Sequence, residues 1–346
     1  MSSRKDFLKV LGLSAFAPFF NNGVTGLSRK QNIVKPKRLR EGDTVGIVSP
    51  AAPVYGQEKI EIMQESMEAL GFNVVISEHV TDQWGYFAGQ DKLRADEVNK
   101  MFANPKVDGI ICARGGWGCS RILPYLDYEM ISENPKVIIG YSDVTSLLLG
   151  LHVKTGLVTF HGPVGTSEWK DFSVSYFKSM LMDGRTVEMK NPQKVEDTLT
   201  QINDRVTTIR KGRAQGRLMG GNLTVLTTII GSDFLPDWDN TILFLEDVNE
   251  GIYRVDRMLT QMKLAGILDQ INGFVFGKCT DCDPGSGYGS FTLDQVFEHH
   301  IEPLNIPAWS GAMIGHISEK FTVPIGVKAQ IDATKGIIKT LESAVQ

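Results

Sequence analysis

The chain has 346 residues, 42% of them hydrophobic and 22% charged, enough for two cored domains of an ordinary globular protein. A net charge of −4, with no Lys/Arg block interleaved with aromatics, argues against nucleic acid as a partner. No stretch is apolar for long enough to span a bilayer, so no integral membrane segment is expected.

The chain opens with Ser3-Arg4-Lys5-Asp6-Phe7-Leu8-Lys9, a basic lead into the apolar run Val10 to Phe20, broken by Pro18 and followed by Asn21-Asn22-Gly23. That order describes an export signal, and it resembles the twin-arginine type with Lys5 in place of the second arginine. Residues 1–30 are therefore expected to be a leader to the periplasm, with Val24-Thr25-Gly26 as a cleavage site. The alternative is a frayed N-terminal helix on a cytoplasmic protein.

Beyond the leader, strand and helix signals alternate. Thr44 to Val48 reads as a strand ending in Ser49-Pro50-Ala51-Ala52-Pro53, and Ile60, Met63, Met67 and Leu70 then repeat at helical spacing up to Gly71. Val74 to Ile76 and Gly109 to Ala113 are further strands, the latter running into Arg114-Gly115-Gly116-Trp117-Gly118 and a helix through Ile122 and Leu123. Val137 to Gly140 is another, followed by a helix after Ser142 and a strand over Leu157 to Phe160. Alternation of this kind predicts a parallel sheet with helices on both faces, an α/β nucleophile domain over 38–185.

From 186 to 213 the chain turns polar, with few apolar anchors, and reads as an interdomain linker. A second, smaller α/β domain is expected over 214–346. It has a helix after Gly220-Gly221-Asn222, a strand over Thr241 to Leu245, a helix through Val255, Met258, Leu259 and Met262, and strands around Val275 and Ile331. Cys279-Thr280-Asp281-Cys282 is a lone C-x-x-C with no second pair, so no metal site is expected, and no cofactor motif occurs. Cys112 falls in a buried strand and Cys119 follows a glycine turn.

Ser142 falls where a buried strand turns sharply into a helix, the place at which a hydroxyl stands above a strand end beside unpaired helix amides. Backbone amides from Gly115 or Gly116, together with that of Asp143, could hold an oxyanion there. A serine also needs a base, and there are six histidines. His79 and His152 suit surface or core roles, and His299 and His300 look solvated. His161 after a strand and His316 in Gly311-Ala312-Met313-Ile314-Gly315-His316 remain as near-equal candidates. Glu246, directly at the end of the apolar run Thr241 to Leu245, is too costly to bury without a partner such as an imidazole. Asp247 and Glu250 fit better as acidic caps on the next helix.

Five segments in order carry a resemblance: Arg114-Gly115-Gly116-Trp117-Gly118, Gly140-Tyr141-Ser142-Asp143, Gly220-Gly221-Asn222-Leu223, Leu245-Glu246-Asp247-Val248-Asn249-Glu250 and Gly315-His316. Together they resemble the LD-carboxypeptidases, serine peptidases that remove the terminal D-alanine of murein tetrapeptides. The resemblance implies Ser142 as nucleophile, His316 as general base and Glu246 as triad acid, which chooses His316 over His161. It also implies an oxyanion hole from the Asp143 amide with Gly115 or Gly116, a flavodoxin-like first domain, a site at the domain junction, and a homodimer. Trp117 stands where a tyrosine is common and is expected in the pocket wall. Arg114 is a candidate for the substrate's terminal carboxylate, the alternative being an interdomain salt bridge. The substrate implied is a murein tetrapeptide or muropeptide. The rival readings are a microcin-immunity-like hydrolase of aminoacyl-nucleotide conjugates, which needs an aromatic platform for the base, and a non-catalytic murein-peptide binder. A generic α/β-hydrolase fits less well, since Gly140-Tyr141-Ser142-Asp143-Val144 lacks the second elbow glycine.

Overall fold

The computed structural model describes residues 32–193, 199–283 and 289–346, and the leader expected over 1–30 lies outside them. In the first half the alternation is β1 (Thr44–Val48), α1 (Gln57–Ala69), β2 (Asn73–Ile76), α2 (Asp91–Ala103), β3 (Gly109–Cys112), α3 (Cys119–Ile122), α4 (Tyr128–Glu133), β4 (Val137–Gly140), α5 (Val144–Thr155) and β5 (Thr159–His161). These five strands pair in parallel in the order β2-β1-β3-β4-β5. That is the flavodoxin-type winding, in which the chain reverses its direction of travel between β1 and β3. β3 and β4 are buried at every position because helices cover both faces. The crevice of such a sheet opens at the carboxyl ends of the strands flanking the reversal. Here those ends carry Pro53-Val54-Tyr55 and Arg114-Gly115-Gly116.

After α6 (Asp171–Phe177) the second sheet is built from β6 (Glu188–Lys190), β7 (Thr207–Arg210), β8 (Arg213–Asn222), β9 (Thr241–Val248), β10 (Gly273–Thr280), β11 (Ala308–Ser310), β13 (Lys328–Asp332) and β14 (Ile337–Thr340). Its order is β6-β14-β13-β8-β9-β10-β11-β7, with a parallel centre from β8 to β11 and antiparallel flanks. Helices α7 (Leu223–Thr228), α8 (Ile252–Leu264) and α9 (Leu293–His300) complete it. α8 buries Val255, Met258, Leu259 and Met262, the stripe its sequence predicts.

The structure alters three expectations. The stretch 186–213 is more than a linker, since it supplies both edge strands of the second sheet, β6 and β7. An edge strand needs few apolar anchors, which is why its polar composition reads as a loop. The chain also returns late to the first sheet: β12 (Val323–Ile325) pairs antiparallel with β5. His300, expected to be solvated, is buried, with Nε2 2.5 Å from Asp256 Oδ1, while His299 stays exposed. Cys279 and Cys282 form a disulfide, with Cα atoms 5.3 Å apart. Among the described residues no helix is long and apolar enough to cross a membrane.

Candidate active site

β4 ends at Gly140, and two residues later Ser142 adopts φ +65°, a left-handed conformation costly for a residue with a Cβ. The turn lifts the hydroxyl off the strand end, and the Ser142 carbonyl accepts from the Thr145 amide at 2.9 Å to start α5. The turn after β3 presses against it. A Cβ on Gly115 would lie 2.6 Å from Ser142 Cβ and 2.8 Å from its Oγ, so only a glycine backbone can come this close.

Glu246 comes from the end of β9 and His316 from the loop after β11. His316 Nδ1 lies 2.8 Å from Glu246 Oε2, and Nε2 lies 2.9 Å from Ser142 Oγ. A carboxylate can only accept, so Nδ1–H donates to it and Nε2 is left to accept from the serine hydroxyl. Glu246 is fully buried. Burial pushes its carboxyl up, but the His316 hydrogen bond and charge, with Asn222, outweigh this and hold it below the usual range.

The loop carrying His316 is braced on several sides. Lys278 N–H of β10 donates to the Ile314 carbonyl at 2.9 Å. Asn191 Nδ2 donates to the Gly311 carbonyl at 2.8 Å, and its Oδ1 accepts from the Met313 amide at 3.2 Å. Gly315 has φ +120°, and a Cβ there would stand 2.8 Å from Glu246 Oε2, so this approach also requires glycine. The Tyr141 ring meets the imidazole edge-on with centroids 4.9 Å apart, and Lys320 Nζ sits 4.6 Å from the centroid of the same ring. Burial pulls the Lys320 amine down to about 8, against the Glu246 charge.

Asn222 lies in the Gly220-Gly221-Asn222-Leu223 segment, but sequence reasoning gave it no role of its own. Its Nδ2 lies 3.1 Å from both Glu246 Oε1 and Asp247 Oδ1, its Oδ1 accepts from Val225 N–H to cap α7, and its own N–H donates to Thr145 Oγ1. Its side-chain amide thus joins two adjacent buried carboxylates, and its backbone N–H ties the end of β8 to helix α5. That segment and the N-cap position just before Leu223 were its signals in the sequence.

Ser142, Glu246 and His316 are brought together, and Gly115 and Gly116 line the same cavity of about 670 Å³ as Ser142 and His316. Asp143 opens α5, and its carboxylate accepts from Cys119 N–H at 2.8 Å. No partner occurs among the described residues for the amides of Gly115, Gly116 and Asp143. Arg114 lines the cavity, donates to the Pro53 carbonyl at 3.3 Å and makes no salt bridge among the described residues. Trp117 does not reach this cavity. It lies half-exposed in a separate hollow with Tyr86, Phe87 and Arg121, because the turn at Gly118 carries it outward. His161 is buried with both ring nitrogens unpartnered, and burial pulls its imidazole down to about 4. It packs on Tyr141 and Phe244 and makes no hydrogen bond to Ser142.

A serine hydroxyl bonded to an imidazole that is itself oriented by a carboxylate is the arrangement of a nucleophile with its base. Residues 45–162 match the LD-carboxypeptidase N-terminal domain, and residues 215–331 match the LD-carboxypeptidase C-terminal domain. The chain belongs to the LD-carboxypeptidase family. One family member, a probable murein peptide carboxypeptidase of Bacillus subtilis, is 36% identical over 87% of this chain and 92% of its own. The microcin C7 self-immunity protein MccF of Escherichia coli is 32% identical over 85% of this chain and 92% of its own. A structure of MccF in complex with glutamyl sulfamoyl guanosine superposes with a TM-score of 0.82 at 30% identity, covering 90% of this chain and 99% of the other. The muramoyltetrapeptide carboxypeptidase of Oxalobacter formigenes superposes with a TM-score of 0.72 at 27% identity, covering 86% and 97%. This LD-carboxypeptidase family chain therefore has relatives that carry murein-peptide names and one that carries a microcin-immunity name.

Proposed function

We propose that the chain is a serine carboxypeptidase that hydrolyses the L,D bond holding the terminal D-alanine of murein tetrapeptides. The observation that carries this is the hydrogen-bonded series Ser142–His316–Glu246 opening into the cavity. Ser142 Oγ attacks the carbonyl carbon of the L-configured centre, and His316 Nε2 takes the hydroxyl proton. The amides of Gly115 or Gly116 and Asp143 receive the oxyanion. His316 then gives its proton to the departing amine, and D-alanine leaves. Water then attacks the acyl-enzyme, giving a proton to His316 as its oxygen bonds to carbon, and the bond from carbon to Ser142 Oγ breaks as His316 returns that proton to the serine oxygen. Glu246 orients the imidazole throughout and stabilises its charged form.

Hydrolysis of aminoacyl-nucleotide conjugates is the second reading, supported by the likeness to MccF. The aromatic lining of the cavity is Tyr55 and Tyr141, and both rings already have cations against them, from Arg114 and Lys320. No tryptophan lines it among the described residues, so a nucleobase would lack the broad platform that reading needs. The murein reading is favoured for that reason.

Mass spectrometry of a murein tetrapeptide incubated with the purified protein tests it. Loss of one alanine with the wild type, and none with Ser142→Ala, is the expected outcome. An intact peptide alongside cleavage of an aminoacyl sulfamoyl-adenosine would hand the site to the second reading.

A further inference from the structure

The cavity at Ser142 is lined by two cations, Lys59 and Arg114, and by no carboxylate among the described residues. The acid that orients His316, Glu246, is buried and already engaged by His316 and Asn222. Helix α1, Gln57–Ala69, carries Glu58, Glu61, Glu65 and Glu68 and a single cation, Lys59. Residues three and four places from Lys59 along the chain are Tyr55, Gly56, Ile62 and Met63, so no acid is placed to pair with it along the helix. Tyr55 and Ile62 line the cavity alongside it, which puts the one cation of an acidic helix on the cavity side. Neither Lys59 nor Arg114 has an ion-pair partner among the described residues. Two like charges facing one cavity repel each other until an anion arrives, and they draw anionic ligands into it.

We infer that Lys59 is a specificity residue for a second carboxylate on the peptide, carried by the side chain of the residue whose carbonyl Ser142 attacks. This rests on the carboxypeptidase reading above. The terminal carboxylate sits on the carbon next to the scissile nitrogen, so it stays close to Ser142 and falls to Arg114, whose neighbour Gly115 touches the nucleophile. A carboxylate at the far end of a long side chain reaches further and is left to the other cation of the cavity, Lys59 on α1. The substrate class this selects is a stem peptide with a diamino dicarboxylic acid at the cleaved position. A lysine there ends in an ammonium with no carboxylate beside it, and meets Lys59 as a like charge.

The test compares kcat/KM for two tetrapeptides ending in D-alanine, one with meso-diaminopimelate and one with lysine at the third position. The wild type is expected to favour the diaminopimelate peptide by about tenfold or more, the scale of one charge-assisted contact. In Lys59→Ala that ratio falls toward one, chiefly through KM, and in Lys59→Glu it inverts. Lys59 is exposed on its helix, so both variants are expected to keep the fold, which circular dichroism checks. A ratio unchanged in both variants, or a wild type indifferent to the two peptides, overturns the role of Lys59 while leaving the carboxypeptidase intact. A wild type that cleaves neither peptide overturns both.

Discussion

Asn222 donates to Glu246 and Asp247 from one nitrogen, so two adjacent buried carboxylates share a donor. Asn222→Ala strips a donor from each and removes the α7 cap, at a cost of about 1–3 kcal/mol, which urea unfolding measures. Losing the donor also moves the Glu246 carboxyl upward, so the acid limb of the kcat profile is expected to shift to higher pH. A variant with unchanged stability and an unchanged profile would show that Asn222 is a bystander. Asn222 was not legible because its role lies in where its side chain reaches. Ser142 was legible from a strand breaking into a helix, and Glu246 from the cost of ending a buried strand in an acid. His316 and His161 could not be separated by spacing, because the imidazole that meets the serine is 174 residues from it. The structure separates them: one imidazole bridges Oγ and a carboxylate, and the other has no hydrogen bond on either nitrogen.

Among the elements, β1, β3 and β4 were legible as apolar runs, while α2 was not. Its buried face includes Arg94 and Glu97, and Arg94 is held by Asp91 and by the carbonyls of Gly89 and Pro50. Paired charges on an inward face break the apolar periodicity that marks a helix. A similar link joins the turns after β3 and β4, where the Asp143 carboxylate takes the Cys119 amide at the start of α3. Burial pushes the Asp143 carboxyl up to about 6, against the Cys119 hydrogen bonds and the Arg94 charge. Between the ordinary value of 3.8 and about 6 the folded group keeps its proton while the unfolded one loses it, so stability falls as pH rises through that window. Asp143→Asn keeps an acceptor for Cys119 and cannot ionise. Its urea midpoints from pH 4 to 7 are expected to fall less steeply than the wild type's and to lie above them at pH 7. Parallel curves would refute this.

In the molecule as a whole, the two sheets are interlocked. Residues 33–346 form one compact unit, β12 leaves the second sheet's chain segment to pair with β5, and Thr145 Oγ1 accepts from the Asn222 amide. Unfolding is therefore expected to be one transition. Tryptophan fluorescence reads both sheets, since Trp169 packs near the first and Trp309 lies in β11, and far-UV circular dichroism should coincide with it. Two separated transitions would mean that the sheets are independent. The two-domain outline was legible in the sequence, but this interlock was not, because β12 has only three residues and nothing in Val323-Pro324-Ile325 says which sheet it joins.

The late arrival of His316 and β12 has a consequence for biosynthesis. A chain leaving the ribosome has Ser142 and all five parallel strands of the first sheet long before it has the base. Domains tend to fold from the amino end as they emerge. A nascent or truncated chain would therefore display a serine elbow whose hydroxyl has no imidazole to accept its proton. The contact of Ser142 with an imidazole comes only with the last segment, so translation itself keeps the half-made site incomplete.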